Sequence, residues 1–364
     1  MKNNRRIARE MKINYYANQV YQLSYTKPIL KTLGGTVIVK QWGKILKFKR
    51  YLKKIKYVSN DGEIPKIKVI SMDPHNLKNV SGILLSNSNA NLVCDRTKCK
   101  KIFIGHGNGD KKYGGNPKCL LDYDYHFIAG PKQIYKMVDV GINIPEEKLL
   151  KTGNLRFDEY YELVEKRDLL LDIYGIEDKT RKNVLYAPTW KWGNGTLRRY
   201  GKLFCKMLSN EFNLIIRPHY YDRRYVKQLK SWLRLNKIKH VYFSDVSNIF
   251  IRDVMHDFVI SDILISDTSS IMYEYLITRK PIIISETEHE DLHNMPEEMY
   301  LPAHVDHFRE GMNIVELVKK NIEGRNNYEK YNTLLFNCFY FNDGKSTERA
   351  LMYLDEIYMG VNPE

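Results

Sequence analysis

The sequence of 364 residues alternates short apolar runs with longer amphipathic stretches. A short apolar run without polar alternation is typical of a strand buried on both faces, as in parallel sheets. The amphipathic stretches have helical spacing, which favours repeated strand–helix–strand units. The strands predicted in this way are residues 36–39, 67–70, 83–85, 101–104, 125–130, 149–150, 183–186, 214–216, 241–243, 263–265 and 282–284.

The alternation stops and restarts once near the middle of the chain, where the polar stretch 175–182 is predicted to be a linker. A chain of this length is also too long for one ordinary core. The pattern therefore predicts an α/β protein with two Rossmann-like domains that face a cleft, the arrangement called GT-B. We expect one domain at residues 1–174 and a second at 183–364, whose last helix packs back on the first.

Residues 261–285, SDILISDTSSIMYEYLITRKPIIIS, contain the most informative of these units. A strand leads to a predicted helix at 271–278, and the turn between them holds four polar residues: Asp267, Thr268, Ser269 and Ser270. Hydroxyl groups and unpaired N–H groups at such a turn can bind a phosphate. Glu274, one turn into the helix, could then reach a ribose hydroxyl. The alternative is an ordinary capped helix in a β–α–β unit.

Two other strand ends carry a histidine. The strand at 101–104 runs into residues 105–112, GHGNGDKK, in which His106 lies between glycines and Lys111 adds positive charge. A lone histidine is more often structural, but flanking glycines let the backbone approach a ligand closely. The strand at 214–216 ends in Arg217 and His219, which are predicted to face the same phosphate.

The net charge of +15 predicts an anionic partner, which could be nucleic acid, an acidic membrane surface or a phosphorylated substrate. The five cysteines form neither CxxC pairs nor a cysteine–histidine motif, so we expect reduced thiols in a cytosolic protein and no metal site. His289 and His293 have the spacing of a zinc pair, but Pro296 follows and no helical stripe surrounds them. We interpret that spacing as chance. The sequence shows neither a run of about 20 apolar residues nor a signal peptide.

Residues 40–56, KQWGKILKFKRYLKKIK, mix apolar side chains with eight basic ones. One interpretation is an amphipathic helix that lies on anionic lipid. The other is a helix that packs on the domain and exposes a solvated basic face. The sequence leaves both open.

Six segments of the chain occur together in an order that is typical of one known family. They are IFIGHGNGDKK (102–112), TGNLRFDEYY (152–161), VLYAPTW (184–190), IIRPH (215–219), LISDTSSIMYE (264–274) and FNDGKSTER (341–349). With these segments the chain resembles the CDP-glycerol glycerophosphotransferase family of teichoic-acid and capsule polymerases and primases. The commoner loop of that family has Thr and Pro after His-Gly. Asn108 and Gly109 stand there in this chain, which therefore resembles a divergent branch.

The resemblance implies a transferase that moves glycerol phosphate, or a related polyol phosphate, from a CDP-linked donor to a hydroxyl acceptor and releases CMP. The N-terminal domain would be the acceptor side, and the C-terminal domain would bind the donor. The enzyme would serve teichoic-acid or capsular polysaccharide synthesis on a lipid-linked or polymer acceptor. We expect it in the cytoplasm, peripheral on the anionic inner face of the cell membrane, without nucleic acid, cofactor or metal.

The resemblance also implies roles for the polar residues. His106 would take the proton of the acceptor hydroxyl, a task that suits an unperturbed pKa near 6.5. His219, helped by Arg217, would stabilise the diphosphate and the leaving CMP. The remaining substrate contacts would come from Lys111, Lys191, Asp267, Thr268, Ser269, Ser270 and Glu274.

Two other functions are compatible with the sequence. A GT-B glycosyltransferase with a nucleotide-sugar donor would use the same cleft, but both phosphates would leave with the nucleotide. A non-catalytic protein that binds nucleotide or nucleic acid would not need His106, and the sequence lacks the basic–aromatic stacking motif of such proteins. Glycerol and ribitol donors, or primases and polymerases, are not separated by these residues.

Overall fold

The computed structural model describes residues 11–57, 65–105, 107–190, 194–324 and 327–360. Within these ranges the strands are β1 (Ile13–Tyr16), β2 (Gly35–Val39), β3 (Ile67–Ser71), β4 (Gly82–Ser86), β5 (Cys99–Phe103), β6 (Tyr125–Ile128), β7 (Leu149–Lys151), β8 (Asn183–Ala187), β9 (Asn213–Ile216), β10 (Val241–Phe243), β11 (Ile263–Ser266), β12 (Ile282–Ser285) and β13 (Asp306–Phe308). The α-helices are α1 (Lys27–Leu33), α2 (Ile45–Leu52), α3 (Pro131–Asp139), α4 (Leu155–Leu163), α5 (Arg167–Tyr174), α6 (Leu197–Leu208), α7 (Arg223–Leu235), α8 (Val254–Ile260), α9 (Ile271–Glu274), α10 (Ile314–Glu323), α11 (Asn327–Cys338) and α12 (Ser346–Met359). Short 3-10 helices span Val20–Tyr25, Trp42–Lys44, Lys53–Tyr57, Pro117–Asp122, Glu146–Lys148, Val164–Lys166, Tyr220–Asp222, Tyr275–Thr278, Glu297–Met299 and Leu301–His304.

The strands form two sheets in which neighbouring strands are parallel. The first sheet has the order β3-β2-β1-β4-β5-β6-β7, and the second has the order β10-β9-β8-β11-β12-β13. Counted from its own first strand, each contains the 3-2-1-4-5-6 order of Rossmann domains. The predicted fold class, two Rossmann-like α/β domains of GT-B type, is confirmed.

Strands β8 and β11 form the centre of the second sheet, and their side chains are buried throughout. They pair in register, with Ile263 opposite Val184. Apolar, mostly branched side chains suit a parallel strand that is covered by helices on both faces. Because β9, β8 and β11 are adjacent, the loops that follow them meet at one edge of the sheet, where doubly wound folds bind ligands.

A shared apolar core joins the two halves of the chain. It brings Phe157 of α4 and Tyr174 of α5 together with Phe258 of α8 and Tyr331 of α11. Other cores lie against the first sheet and on the outer side of the second. The two halves are therefore packed together through a common core, and this core helps to define the space between the sheets.

Helix α12 packs on the first sheet, although it follows the second sheet in sequence. Ala350 and Leu354 are buried in the core of that first sheet. The carboxylate of Asp158 on α4 accepts hydrogen bonds from the backbone N–H groups of Ser346 (3.1 Å) and Thr347 (2.6 Å). A carboxylate at this position satisfies unpaired donors of the first turn and interacts favourably with the positive end of the helix dipole.

Three helices differ in extent from the sequence prediction. The sequence predicts a helix at 248–261, but α8 begins only at Val254, because the side chain of Asp253 accepts the N–H of Val254 and caps the helix there. The sequence also predicts a helix at about 159–166, and the observed helix α4 begins four residues earlier, at Leu155, behind the cap residue Asn154. The helix predicted at 271–278 has one α-helical turn, α9, and continues as a 3-10 helix.

The basic segment at 40–56 has a buried face and an exposed face, and its contact with lipid stays a prediction. Phe48 and Leu52 of α2 are buried in the core of the first sheet, so one face of the segment packs on the domain. Trp42 and Leu46, by contrast, are 81% and 79% exposed beside the basic side chains. The basic start at residues 2–12 lies almost wholly outside the described residues. Across the described ranges, no helix has the length and apolar character needed to cross a bilayer.

Candidate active site

A cleft of about 310 Å³ opens between the two sheets, a volume at the lower end of small-molecule sites. The loops that follow β1, β5, β8, β9 and β11 all reach it. From the first half it is lined by Tyr21, Tyr25, Gly107, Lys111, Lys136 and Arg156. From the second half it is lined by Trp190, Arg217, His219, Ser269 and Ser270, among others.

The cleft carries positive charge on both sides. Its cationic side chains are Lys111, Lys136, Arg156 and Arg217, and none of the described lining residues is acidic. Low-dielectric walls strengthen the potential of such charges. The cleft is therefore suited to an anionic ligand such as a diphosphate.

Arg217 directly follows β9 and is held by a buried carboxylate. Its Nη1 donates to Asp257 at 2.7 Å and to the carbonyl of Arg252 at 3.3 Å. Asp257 also accepts hydrogen bonds from Tyr174, at 2.6 Å, and from Ser244. This network fixes the guanidinium in place beside the cleft. The charge of Asp257 offsets the desolvation cost of burying the guanidinium.

His219 follows Arg217 by two residues and lies among aromatic rings. Its ring stacks on Trp190 with centroids 5.6 Å apart and 15° between the planes, and Tyr221 stacks at 5.4 Å. Its Nδ1 accepts the backbone N–H of Tyr221 at 3.3 Å. The neutral ring then carries its proton on Nε2, so this edge can donate to a phosphate oxygen.

The loop after β5 packs tightly on the turn that precedes α9. A Cβ atom on Gly107, which has φ +126°, would lie 2.6 Å from Oγ of Ser270. A Cβ atom on Gly109 would lie 2.9 Å from Cα of Ser270. The glycines are therefore needed for the contact between the halves. His106, predicted to be catalytic, lies outside the described residues, as does Lys191 of the loop after β8.

Two charged residues anchor this loop across the cleft. Asp110 is buried, and its carboxylate accepts from Lys132 at 2.6 Å and from the hydroxyl of Tyr273 at 2.7 Å. Lys111 donates to Oγ1 of Thr189, in the loop after β8, at 2.6 Å. Burial lowers the pKa of Lys111. Lys111 is thus placed between the two halves, where a phosphate group could replace the hydroxyl.

The turn after β11 divides into cleft-facing and buried residues. Ser269 and Ser270 line the cleft, whereas Thr268, which is partly exposed, is not among the lining residues. Asp267 is buried behind them and accepts the N–H groups of Thr189, at 2.8 Å, and Thr196, at 3.1 Å. Burial raises the pKa of Asp267 to about 6. The structure gives Asp267 the role of holding the loop after β8, and because α9 is one turn long, its dipole can add little to anion binding.

Glu274 and Arg156 form an ion pair across the two halves. Glu274 accepts from Nη1 of Arg156 at 2.6 Å and from the hydroxyl of Tyr25 at 2.5 Å. Arg156 also pairs with Asp253 at 2.8 Å, and Asp253 pairs with Lys27 at 2.7 Å. Burial raises the pKa of Glu274, and the Arg156 guanidinium opposes this shift. Both carboxylate oxygens of Glu274 thus have protein partners, and its contact with a ribose stays a prediction.

A second cavity of about 90 Å³ lies beside the cleft and shares Tyr25 and Gly107 with it. Its polar side chains include Asn89, Gln133 and Asn154. It is also lined by Asn108, whose buried Nδ2 has no hydrogen-bond partner among the described residues. The cavity therefore offers amide groups to hydroxyls of a small ligand.

The remaining ligand-type residues are distributed as follows. In the described part of the chain, no three His, Cys, Asp or Glu side chains are grouped so that they could hold a metal ion. Nδ1 of His293 lies 2.8 Å from the carboxylate of Asp139, so this histidine of the zinc-like spacing pairs with an acid. The five cysteines are free thiols.

Sequence reasoning placed Arg217, His219, Lys111, Ser269 and Ser270 at the cleft. It missed Arg156, although this residue lies inside the quoted segment 152–161. It also missed Trp190 and Lys136, and Lys136 carries no local signal, since it occupies a helix of ordinary amphipathic pattern. Helices such as α3 reach the cleft through tertiary packing alone.

Two facing Rossmann-like sheets and a cationic cleft at their carboxyl ends place this protein in the GT-B class of architecture. The family described as CDP-Glycerol:Poly(glycerophosphate) glycerophosphotransferase matches residues 52–355 of the chain. The protein belongs to this family.

Individual relatives agree with this assignment. The chain is 29% identical over 209 residues to the teichoic acid glycerol-phosphate primase of Bacillus subtilis, which covers 52% of this chain and 50% of the relative. It is 29% identical over 227 residues to the teichoic acid ribitol-phosphate polymerase TarL of Staphylococcus aureus, which covers 58% of this chain and 38% of the relative. The chain thus spans about half the length, or less, of these curated relatives.

The solved structure of the wall teichoic acid polymerase TagF has a similar fold. It matches with a TM-score of 0.65 and 16% identity, over 98% of this chain and 91% of that one. At this identity the likeness concerns the fold alone.

Proposed function

We propose that the protein transfers glycerol phosphate, or a related polyol phosphate such as ribitol phosphate, from a CDP-linked donor to a hydroxyl acceptor and releases CMP. The observation that carries the proposal is the cleft between the two sheets, which is lined by four cationic side chains and by no acidic residue among the described ones. The chain also belongs to the glycerophosphotransferase family. A donor with two phosphates is the kind of ligand that such a cleft would bind. The product would be a teichoic acid or a capsular polymer.

The chemistry would be a single displacement at phosphorus. The acceptor oxygen attacks the phosphorus next to the polyol, the bond from that phosphorus to the bridging oxygen breaks, and CMP leaves with the electron pair. The acceptor proton passes to His106. Positioning and charge neutralisation dominate such transfers, because their transition states need little covalent help.

The second half would hold the donor. Arg217 and His219 lie at the end of β9, where they would neutralise charge that develops on the leaving CMP. Ser269 and Ser270 would donate to the diphosphate from the opposite loop. Trp190, stacked on His219, offers an aromatic face to the ligand.

The first half would hold the acceptor. The loop after β5 carries His106, and the 90 Å³ cavity beside it is lined with amides. Asn108 is one of these, and it stands where the family more often has threonine. We propose that this cavity binds hydroxyl groups of the acceptor end.

The enzyme would meet its lipid-linked acceptor as a peripheral protein on the cytoplasmic membrane face. Trp42 and Leu46 are exposed beside the basic side chains of α2, as in helices that lie in a membrane interface. Each lysine or arginine near an anionic surface contributes about 1 kcal/mol, so several together would hold the protein reversibly.

The identity of the nucleotide product tests the proposed function. The protein would be incubated in parallel with CDP-glycerol, CDP-ribitol and a nucleotide sugar, each with a glycerol-phosphate-primed lipid acceptor, and the nucleotides separated. We expect acceptor-dependent CMP from a CDP-polyol, and about 100-fold less from His219→Ala. Release of a nucleoside diphosphate from the nucleotide sugar alone would show a glycosyltransferase instead, and binding without any turnover would show a non-catalytic protein.

A further inference from the structure

Two buried lysines stand one turn apart on helix α3, and they differ in their partners. Lys132 is fully buried and pairs with the carboxylate of Asp110 at 2.6 Å. It also lies 4.0 Å from the ring centre of Tyr273. Lys132 therefore has the counter-charge that a buried cation needs.

Lys136 is also buried, with 4% of its surface exposed, but it has no such counter-charge among the described residues. Among the described residues, no carboxylate or carbonyl pairs with its ammonium. The ammonium lies over the ring of Tyr113, with 5.1 Å between Nζ and the ring centre. The side chain lines the 310 Å³ cleft, so the ammonium is buried beside space that a ligand can fill.

The surroundings of Lys136 explain why no carboxylate in the described part of the chain neutralises it. Three elements bring charged or titratable groups to it: Lys132 and Asp139 on α3, Asp110, Lys111 and Tyr113 in the loop after β5, and His293 in the segment after β12. The carboxylate of Asp110 is hydrogen-bonded to Lys132 and to the Tyr273 hydroxyl, and the carboxylate of Asp139 is hydrogen-bonded to His293. Both nearby acids thus have other partners.

Burial of the unpaired ammonium lowers the pKa of Lys136 to about 7, and the charges of Lys132 and Lys111 act in the same direction, against Asp110. A phosphate oxygen beside Nζ would favour the charged form. Binding of a phosphate would then raise this pKa, and the protein would take up a proton.

We propose that Lys136 binds a phosphate group of the substrate directly and supplies the charge that this phosphate requires. This proposal deepens the proposed function and rests on it for the identity of the substrate. The phosphate could belong to the donor diphosphate or to the phosphodiester end of the acceptor, since both present the same oxygens. Lys111 would contact the same ligand from the loop after β5.

Calorimetric titration of the full chain with CDP-glycerol tests the proposal without requiring turnover. At pH 8, in two buffers of different ionisation enthalpy, the wild type should take up as much as about one proton per ligand bound. The phosphates of CDP-glycerol are diesters and do not titrate in this range. Affinity should fall as pH rises from 7 to 9, because Lys136 loses its proton in the free protein.

Three variants separate binding from a structural role. Lys136→Met should weaken CDP-glycerol binding about tenfold or more and abolish most of the proton uptake. Lys136→Arg should bind without that uptake and with little pH dependence, because an arginine stays charged. Lys112→Met is the control, since Lys112 is half exposed on the neighbouring loop and pairs with Asp291, and it should behave as the wild type.

Two further titrations identify the source of the phosphate. If Lys136→Met lowered the affinity for glycerol 3-phosphate but left the affinity for CDP-glycerol unchanged, the site would belong to the acceptor. If CDP-glycerol does not bind at all, the proposed function fails, whereas a tenfold loss of pyrophosphate affinity in Lys136→Met would still support the phosphate site. Equal affinity and equal proton uptake in the wild type and both Lys136 variants would overturn the proposal.

Discussion

The cationic groups of the cleft form two regions that hold their charge differently. In the arginine region, Arg156 and Arg217 each pair with a buried carboxylate. Burial alone would lower the pKa of Arg156, but Glu274 and Asp253 raise it above its ordinary value. In the lysine region, Lys111 and Lys136 lack a carboxylate partner among the described residues, and burial lowers the pKa of both.

The difference separates two tasks of one cleft. The paired arginines have fixed positions and a charge that changes little with pH, so they can define where the donor lies. The unpaired lysines gain their counter-charge from the ligand, so their protonation and the binding of phosphate are linked. Loss of a paired arginine should therefore affect folding, whereas loss of an unpaired lysine should affect binding.

The largest expected effect comes from removing a paired arginine. Arg156→Met leaves the buried carboxylate of Glu274 without its cation and removes one of the two cations that pair with Asp253, the other being Lys27. This loss should lower the free energy of unfolding by about 3–5 kcal/mol. Lys136→Met removes a buried charge that has no carboxylate partner among the described residues, and it should leave the stability unchanged or raise it. Denaturant titration of the two variants measures this contrast, and equal destabilisation of both would contradict the division into two regions.

The next largest effect concerns the two histidines, one predicted on each side of the cleft. His106→Ala and His219→Ala should each lower turnover about 100-fold or more with little change in stability, because positioned acid–base groups contribute 10²–10⁴-fold. Steady-state CMP release measures the effect. His75→Ala, at an exposed site away from the cleft, is the matched control. Near-normal turnover in either variant would remove that histidine from the mechanism.

A smaller effect is expected where the loop of the lysine region touches the turn after β11. A methyl group on Gly109 would press on the backbone of Ser270, whereas one on Gly114 would meet nothing within 4 Å. Gly109→Ala should lower kcat by roughly tenfold, because small displacements of catalytic groups are costly. Gly114→Ala should have no effect. If the two variants had the same kcat, this contact would not position the loop.

The smallest effect on catalysis is expected from the exposed basic segment. Replacing Trp42 and Leu46 by serine and reversing the charge at Lys49, Arg50 and Lys53 should abolish sedimentation with anionic vesicles at low salt. Lys47 is left in place because its ammonium lies 3.7 Å from the ring centre of Tyr220, a cleft residue. CDP-glycerol affinity in solution should stay normal. Full vesicle binding by this variant would show that the membrane contact lies elsewhere.

Much of the fold could be predicted from the sequence, because buried parallel strands are continuous apolar runs. Strands β8, β9, β11 and β12 were located within one residue of their ends. Strand β1 (INYY) was missed, since its polar and aromatic residues lack such a run, and β13 (DHF) was missed because it is short and mostly polar.

The candidate site could be predicted in part, for the same physical reason. Residues in the loops that follow the strands, such as Arg217 after β9 and Ser269 after β11, share the ligand-binding edge of the sheet by topology alone. Arg156 and Lys136 reach the cleft from helices whose position depends on packing, and the hydrophobic pattern of these helices does not indicate that position. The partners of Glu274 were likewise invisible, because Tyr25 and Arg156 are distant in sequence.

The fate of the phosphorus atom next to glycerol tests the central claim most directly. CDP-glycerol labelled at that phosphorus would be incubated with the protein and a primed acceptor, and label in polymer and nucleotide fractions would be counted. We expect the label to move to the polymer together with glycerol, while unlabelled CMP is released. Label that stays with the nucleotide while the acceptor is modified would contradict phosphoryl transfer in this cleft.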